Sequence, residues 1–187
     1  VIRTVREYIQ TGVAAIHIED QIIPKRCGHV AGRQVIPLEE AVGKVRAADR
    51  VRKAIDPDFV LIARTDARGV IGYDEAVRRA SAYVEAGADG IFPEALESRE
   101  EFARFARDVK TILLANMTEF GKTPYLTADE FAEMGYSMVI YPVTFQRIAM
   151  KAVERALRRL RAERTQKAFV EEMQTRGELY DLLDYRV

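Results

Sequence analysis

Five short, continuously apolar runs constrain most strongly what this chain can fold into. They lie at residues 13–18, 59–63, 90–92, 112–116 and 138–142. A strand with one wet face alternates apolar and polar residues, whereas a continuously apolar run is typical of a parallel strand buried on both faces. The runs therefore predict five strands of a parallel sheet.

Helical patterns lie between these runs and predict crossovers. They cover residues 37–55, 73–87, 98–109 and 127–135, and a further pattern at 1–12 has no capping residue before it. The pattern at 127–135 begins with Thr127, and Glu130 follows three residues later, which is a capping-box sequence. Strand and helix in alternation predict an α/β fold with right-handed crossovers.

A (β/α)8 barrel is the predicted form of this fold. No glycine-rich phosphate-binding sequence follows a strand, which disfavours an open nucleotide-binding sheet. A closed barrel of this kind has eight strands. The interpretation is thus one catalytic barrel domain, residues 1–187, that lacks its first three strands and carries extra C-terminal helices over 144–187.

Charge and cysteine content exclude several classes of protein. Among 187 residues, 29 are Lys or Arg and 29 are Asp or Glu, so no basic surplus favours nucleic acid or an anionic membrane. The basic stretch at 151–167 is interpreted as a solvated helix face, because Ala152, Ala156, Leu157 and Leu160 form an apolar stripe opposite its charges. With a single Cys and no membrane-length apolar run, we expect a cytoplasmic protein.

Polar residues follow the C-terminal ends of the predicted strands. Parallel strands bring these ends to one rim, where barrels of this type have their active sites. Carboxylates there can bind a divalent metal or its waters, and an arginine can bind a substrate carboxylate through two hydrogen bonds. The rim predicts a small, polyanionic substrate and a divalent metal; its residues are Glu19, Asp20, Arg64, Thr65, Asp66, Glu94, Asn116, Thr118 and Glu119.

The chain's single cysteine, Cys27, lies just past the first of these strand ends, in the segment Lys25-Arg26-Cys27-Gly28-His29. Three interpretations compete: a small buried apolar residue, a zinc ligand with His17 and His29, or an acid, base or nucleophile. Its polar neighbours disfavour the first, and the lack of paired ligand spacings disfavours the second, so that His17 is interpreted as structural. Nearby cations stabilise a thiolate, which favours the third.

These segments, in order, resemble the isocitrate lyase and phosphoenolpyruvate mutase superfamily, and within it the lyases that act on 2-methylisocitrate. The resemblance rests on "IED", "KRCGH", "ARTDA", "FPEA", "NMTEFGKTP", "YPV" and "MQTR" and covers essentially the whole chain. It implies cleavage of 2-methylisocitrate, a tricarboxylate, to pyruvate and succinate in propionate breakdown. It also implies Mg²⁺, with Mn²⁺ as a possible substitute, and a homotetramer that exchanges C-terminal helices between subunits.

The resemblance also implies roles for individual residues. Cys27 resembles the catalytic acid, Lys25, Arg26, Gly28 and His29 form its loop, and Glu19 resembles the carboxylate that holds the metal through water. The family's leading metal-binding aspartates lie on strands that would precede Val1. Residues that resemble substrate contacts are Cys27, Gly28, Arg64, Glu94, Asn116, Met117, Thr118, Arg147 and Arg176.

Other functions remain open from the sequence. A related enzyme could use the same rim on oxaloacetate, isocitrate or a substituted malate. A protein of another class could be a redox-sensing thiol protein or a non-catalytic partial barrel.

Overall fold

The computed structural model describes residues 1–28 and 31–186. Its centre is a curled, five-stranded sheet in which each strand pairs in parallel with the next along the chain. The strands are β1 (Ala15–Glu19), β2 (Val60–Thr65), β3 (Gly90–Pro93), β4 (Ile112–Asn116) and β5 (Met138–Ile140). The predicted parallel sheet is confirmed, and the observed ends lie within two residues of the predicted ones.

Five helices accompany these strands: α1 (Ile2–Gln10), α2 (Leu38–Ile55), α3 (Tyr73–Glu85), α4 (Arg99–Asp108) and α5 (Ala128–Glu133). A short 3-10 helix, Ala67–Gly69, follows β2. The Thr127 hydroxyl accepts the Glu130 N–H while the Glu130 carboxylate accepts the Thr127 N–H, so the predicted capping box begins α5. None of the described helices has both the length and the apolar character needed to cross a membrane.

The two faces of the sheet have different surroundings. Ile18, Ala63, Ile91 and Leu113 point to one face and pack with the helices in the main core. The opposite face carries a small strand-only cluster centred on Ile62, Phe92 and Leu114. Helices on one face and strands in sequence order are the winding of a barrel wall. The closed eight-stranded barrel and its three further strands stay predictions.

The chain divides into two compact units, residues 1–142 and 143–187. The second contains α6 (Thr144–Glu163), a 3-10 helix (Lys167–Glu172) and α7 (Arg176–Leu182). The residue after α6, Arg164, has φ +55°, which interrupts the long helical stretch predicted there. Within this unit the Arg159 guanidinium lies 5.2 Å from the centroid of the buried Phe169 ring and pairs with Glu172. The assignment of residues 1–187 to a single catalytic domain stays a prediction.

Candidate active site

The strand register brings polar side chains from separate strands to one face. Glu19 on β1 is aligned with Arg64 on β2, and Arg64 is aligned with Phe92 on β3. Side chains alternate along a strand, so residues two positions further along point to this same face. Asp66 and Glu94 occupy these positions, and Asn116 lies two residues beyond Leu114, which shares this face with Phe92. A charged cluster therefore forms at the strand ends.

Arg64 is the centre of this cluster. Its Nε and Nη2 donate to the Asp66 carboxylate at 2.9 and 3.1 Å, and its Nη1 lies 3.1 Å from Oε2 of Glu94. Its Nε is also 3.4 Å from Oε2 of Glu19. Burial lowers the pKa of Arg64, but the hydrogen bonds to Asp66 and the surrounding carboxylates outweigh burial and raise it. A substrate carboxylate would have to compete with protein carboxylates for this guanidinium.

Glu94 links Arg64 to β4 and to the cysteine loop. Nδ2 of Asn116 donates to Oε2 of Glu94 at 3.2 Å, and Glu94 is 1% exposed. Gly28 packs its main chain on this carboxylate: a Cβ at position 28 would lie 2.3 Å from Cγ of Glu94. Only glycine fits there, and the loop that carries Cys27 therefore meets the charged cluster through its next residue.

A second contact joins the loop to β1. Nζ of Lys25 lies 3.0 Å from Oε2 of Glu19. Cys27 is a free thiol and is exposed, so the interpretation as a small buried residue is wrong. The polar loop sequence explains this, because Lys25 and Arg26 keep the chain at the surface.

The other predicted site residues lie in different surroundings. Met117 and Thr118 follow β4 and are buried, and the Met117 sulfur accepts the Leu126 N–H at 3.2 Å within the main core. Arg147 is in α6 and Arg176 begins α7, both in the second unit. His29 lies outside the described residues. The catalytic and substrate-binding roles of all these residues stay predictions.

Asp20 does not belong to the candidate site. It follows Glu19 directly, so its side chain points to the opposite face, where it is 2% exposed. Its carboxylate accepts hydrogen bonds from the Thr65 and Tyr83 hydroxyls, the Asp66 N–H and Nη1 of Arg79. Because four donors occupy its two oxygens, the interpretation of Asp20 as a metal ligand is wrong.

The charged cluster offers few ligands for the divalent metal that the sequence predicts. Within residues 1–28 and 31–186, no group of three His, Cys, Asp or Glu side chains is arranged to hold a metal ion. Glu19 is close to two cations, yet its buried Oε2 accepts no hydrogen bond of good geometry in the described part of the chain. These residues fit a water-mediated contact through Glu19 and do not by themselves form a metal site.

His17 lies one layer below Glu19 on the same face. Its ring meets Phe92 edge to face, with the centroids 5.8 Å apart. Burial of the ring, and then the charge of Arg64, lower the pKa of His17. The imidazole is therefore neutral at neutral pH, which agrees with a structural role.

Two residues at the site, Gln21 and Arg33, were not predicted from the sequence. The Gln21 side chain bonds the main chain of Arg26 at 2.9 Å in both directions. Arg33, with 3% of its side chain exposed, has Nη1 3.7 Å from Oδ1 of Asp66. Alternation from Glu19 could have indicated the orientation of Gln21, whereas no pattern in the sequence points to Arg33.

Comparison with known proteins assigns the family. A family model described as phosphoenolpyruvate phosphomutase matches residues 1–161. The chain belongs to this family. The resemblance that the sequence motifs indicate is thereby confirmed, and within the phosphoenolpyruvate phosphomutase family its curated relatives are lyases by name.

Two such relatives are similar over almost the whole chain. The protein named 2-methylisocitrate lyase in Aeropyrum pernix is 56% identical over 183 residues, which are 98% of this chain and 58% of the relative. The 2-methylisocitrate lyase of Bacillus subtilis is 51% identical over 98% of this chain and 60% of the relative. The chain thus spans about three fifths of the length of these relatives.

Solved structures of the superfamily share the fold. A 2,3-dimethylmalate lyase has a TM-score of 0.92 at 38% identity, covering 98% of this chain and 62% of that one. An oxaloacetate acetylhydrolase with 3,3-difluorooxalacetate has a TM-score of 0.83 at 39% identity, with coverages of 86% and 54%. A phosphonopyruvate hydrolase with oxalate and Mg²⁺ has a TM-score of 0.82 at 32% identity, with coverages of 98% and 63%.

Proposed function

We propose that the protein is a carbon–carbon lyase that cleaves 2-methylisocitrate to pyruvate and succinate. The observation that carries the proposal is the contact of Gly28 with Glu94, because it brings the loop of the exposed Cys27 to the charged strand ends. The names of the relatives at 56% and 51% identity support this substrate.

The proposed reaction is a retro-aldol cleavage. The substrate hydroxyl passes its proton to solvent, and the adjacent carbon–carbon bond breaks with its electron pair left on the other fragment. The products of this step are pyruvate and a carbanion, which is stabilised as the dianion of a carboxylic acid. The Cys27 thiol supplies the proton that converts this carbanion to succinate, and solvent returns a proton to the thiolate.

The charged cluster and the segment after β4 have separate tasks in this proposal. Arg64 carries a permanent positive charge and binds a substrate carboxylate in exchange for part of its contact with Glu94 or Asp66. Asn116 and Thr118 donate hydrogen bonds to the departing succinate, and these bonds strengthen as negative charge develops. Donors held at fixed positions are effective here because they need little rearrangement during the reaction.

We propose further that the reaction depends on Mg²⁺, for which Mn²⁺ can substitute, and serves propionate catabolism in the cytoplasm. A divalent ion supplies polarisation of the ketoacid oxygens. The Mg²⁺ in the phosphonopyruvate hydrolase structure and the position of Glu19 support this dependence. Further ligands, beyond those the described residues bring together, are required. We also propose a homotetramer that exchanges its C-terminal helices.

A related activity is the second candidate. The structural similarity to a 2,3-dimethylmalate lyase and to an oxaloacetate acetylhydrolase favours a small dicarboxylate on the same strand ends. Isocitrate is the alternative that differs from the proposed substrate by one methyl group. A pocket that discriminates one methyl group contributes about 1 to 3 kcal/mol, so the preference is expected to be graded.

Steady-state kinetics on the four acids separate these candidates. We expect the highest kcat/KM for 2-methylisocitrate, with equal amounts of pyruvate and succinate, and loss of turnover on chelation of divalent metal with recovery on adding Mg²⁺. A higher kcat/KM for isocitrate, 2,3-dimethylmalate or oxaloacetate would reassign the substrate. The absence of turnover on all four would favour a non-catalytic protein.

A further inference from the structure

We infer that Gln21 is a positioning residue that holds the Cys27 loop for proton transfer, an inference that rests on the proposed lyase function. Nε2 of Gln21 donates to the Arg26 carbonyl, and Oε1 of Gln21 accepts the Arg26 N–H, both at 2.9 Å. The two bonds fix the peptide groups on either side of Arg26. The second of these peptide groups is the one that joins Arg26 to Cys27.

Gln21 is itself held firmly. It is 4% exposed and forms an antiparallel bridge with Val35. On either side of the bridge, the Ile22 N–H donates to the Gln34 carbonyl at 3.0 Å and the Ile36 N–H donates to the Asp20 carbonyl at 2.8 Å. These main-chain bonds join the two ends of the segment that contains Cys27. The backbone of Gln21 is therefore fixed, and so is the starting point of its side-chain amide.

Packing does not enclose the Cys27 loop as tightly as it encloses Gln21. A cavity of about 220 Å³ lies against the loop, lined by residues that include Gln21, Pro24, Arg26 and Arg33. The side chains of Lys25 and Arg26 are exposed. Hydrogen bonds must therefore contribute much of the order at Arg26, and the side-chain amide of Gln21 supplies one donor and one acceptor at the required spacing.

The chemistry demands such a restraint. An acid must lie within hydrogen-bond reach of the atom that it protonates, and a displacement of about 1 Å can lower the rate on the order of 10²-fold. Gly28 restrains the loop on one side of Cys27 through Glu94, and Gln21 restrains it on the other side through Arg26. Together they define where the thiol lies.

Two substitutions with nearly the same shape test the inference. Gln21→Met removes both hydrogen bonds, and Gln21→Glu keeps an acceptor for the Arg26 N–H but opposes the Arg26 carbonyl with a charge. Gln34→Met is the matched control, because Gln34 is exposed and contacts the segment through a main-chain carbonyl that the substitution retains. Thermal unfolding shows which variants fold. If Gln21→Met does not fold, Gln21→Glu is the variant used for the test.

Two measurements are made on the purified protein. Hydrogen–deuterium exchange should rise on the order of tenfold in a peptide covering residues 22–28 and stay unchanged in β2 and β3. In steady state, kcat for 2-methylisocitrate should fall on the order of 10- to 100-fold while KM changes less than about threefold. Gln34→Met should match the wild type in both.

The outcomes distinguish this inference from the lyase proposal. Unchanged exchange at residues 22–28 overturns the restraint, and faster exchange with unchanged kcat overturns its role in positioning. A loss confined to KM, or faster exchange throughout the sheet, indicates a general structural effect and also overturns it. A wild-type protein that does not cleave 2-methylisocitrate overturns the proposed function and, with it, the catalytic meaning of the restraint.

Discussion

Glu94 contacts three residues that lie far apart in the sequence. Arg64 and Asn116 reach it with their side chains, and Gly28 reaches it with its main chain. A buried carboxylate is destabilising without partners, and the Arg64 guanidinium and the Asn116 amide are polar partners of this one. The position of the Cys27 loop therefore depends on a residue that never needs to react.

Replacing the thiol should separate chemistry from folding. Cys27→Ser is expected to lower kcat on the order of 10² to 10⁴-fold, because a hydroxyl is a far weaker acid than a thiol. Cys27 is exposed, so the unfolding temperature should remain within about 2 °C of the wild type. Steady-state kinetics and calorimetry measure the two effects. Wild-type kcat in the folded variant would assign proton delivery to another group.

Adding one methyl group at Gly28 should displace the loop. The new Cβ of Gly28→Ala would lie 2.3 Å from Cγ of Glu94, whose bonds to Arg64 and Asn116 resist movement. We expect kcat/KM to fall on the order of 10²-fold. Gly43→Ala on α2 is the control, since nothing lies within 4 Å of its Cβ and alanine favours a helix. Undiminished kcat/KM in Gly28→Ala would show that the loop can shift without consequence.

At the scale of elements, Arg52 joins α2 to two strands. Its Nη1 donates to the Phe59 carbonyl just before β2, and its Nη2 donates to the Gly87 carbonyl and to Oδ1 of Asp89 before β3. The Asp89 carboxylate also accepts the Leu61 N–H at 2.8 Å. One guanidinium thus satisfies acceptors in two turns, and removing it takes this donor from the Phe59 and Gly87 carbonyls and the paired cation from Asp89.

Arg52→Met is therefore expected to lower the free energy of unfolding by about 3 kcal/mol, as for other largely buried ion pairs that lose one partner. The neighbouring Lys53→Met should cost less than about 1 kcal/mol, because Lys53 is exposed and pairs with Asp49 at the surface. Urea unfolding measures both. Equal losses in the two variants would contradict the special position of Arg52.

A carboxylate on α4, Glu101, should give stability that depends on pH, because it pairs with Arg68 in the 3-10 helix after β2. Burial raises the pKa of Glu101, but hydrogen bonds from Arg68 and from the Glu97 N–H outweigh it and hold the pKa below its usual value. A lowered folded pKa stabilises the protein above the unfolded pKa, and this contribution disappears as the pH falls through the folded pKa.

Glu101→Gln should accordingly destabilise the protein by about 1 kcal/mol at pH 7, and the difference from the wild type should shrink below about pH 4. Unfolding in urea across this pH range measures the difference. The exposed Glu85→Gln on α3 controls for the loss of one charge. A difference that stays constant down to pH 3 would mean that Arg68 does not act through the Glu101 charge.

Elements could be predicted from the sequence more completely than side-chain partners. The run at 112–116 gave the bounds of β4 without error, because a continuous apolar run fixes where a buried strand lies. Glu19 and Asp20 could be placed at a strand end on opposite faces of the sheet, but only the structure shows that Glu19 faces the charged cluster and Asp20 the main core. The Gln21 bonds and the Arg33 contact with Asp66 depend on how the chain returns through residues 31–36, which no local pattern specifies.

At the scale of the whole molecule, α6 carries an exposed row of apolar side chains. Met150, Val153, Leu157 and Leu160 recur at spacings of three and four residues, so they share one face of α6. Each is exposed, and Leu157 is 60% exposed. A row of apolar side chains along one helix face is typical of a surface that meets another helix. The proposed exchange of C-terminal helices between subunits would cover it.

We therefore expect the protein to be a tetramer in light scattering and the double variant Val153→Gln/Leu157→Gln to have a lower mass at the same concentration. Two buried apolar side chains contribute about 1.5 to 3 kcal/mol each, and the loss is repeated at every symmetric contact. Arg155→Gln, on the opposite face of α6, should leave the mass unchanged. A double variant that remains a tetramer would show that another surface joins the subunits. A monomeric wild type would contradict the proposed tetramer.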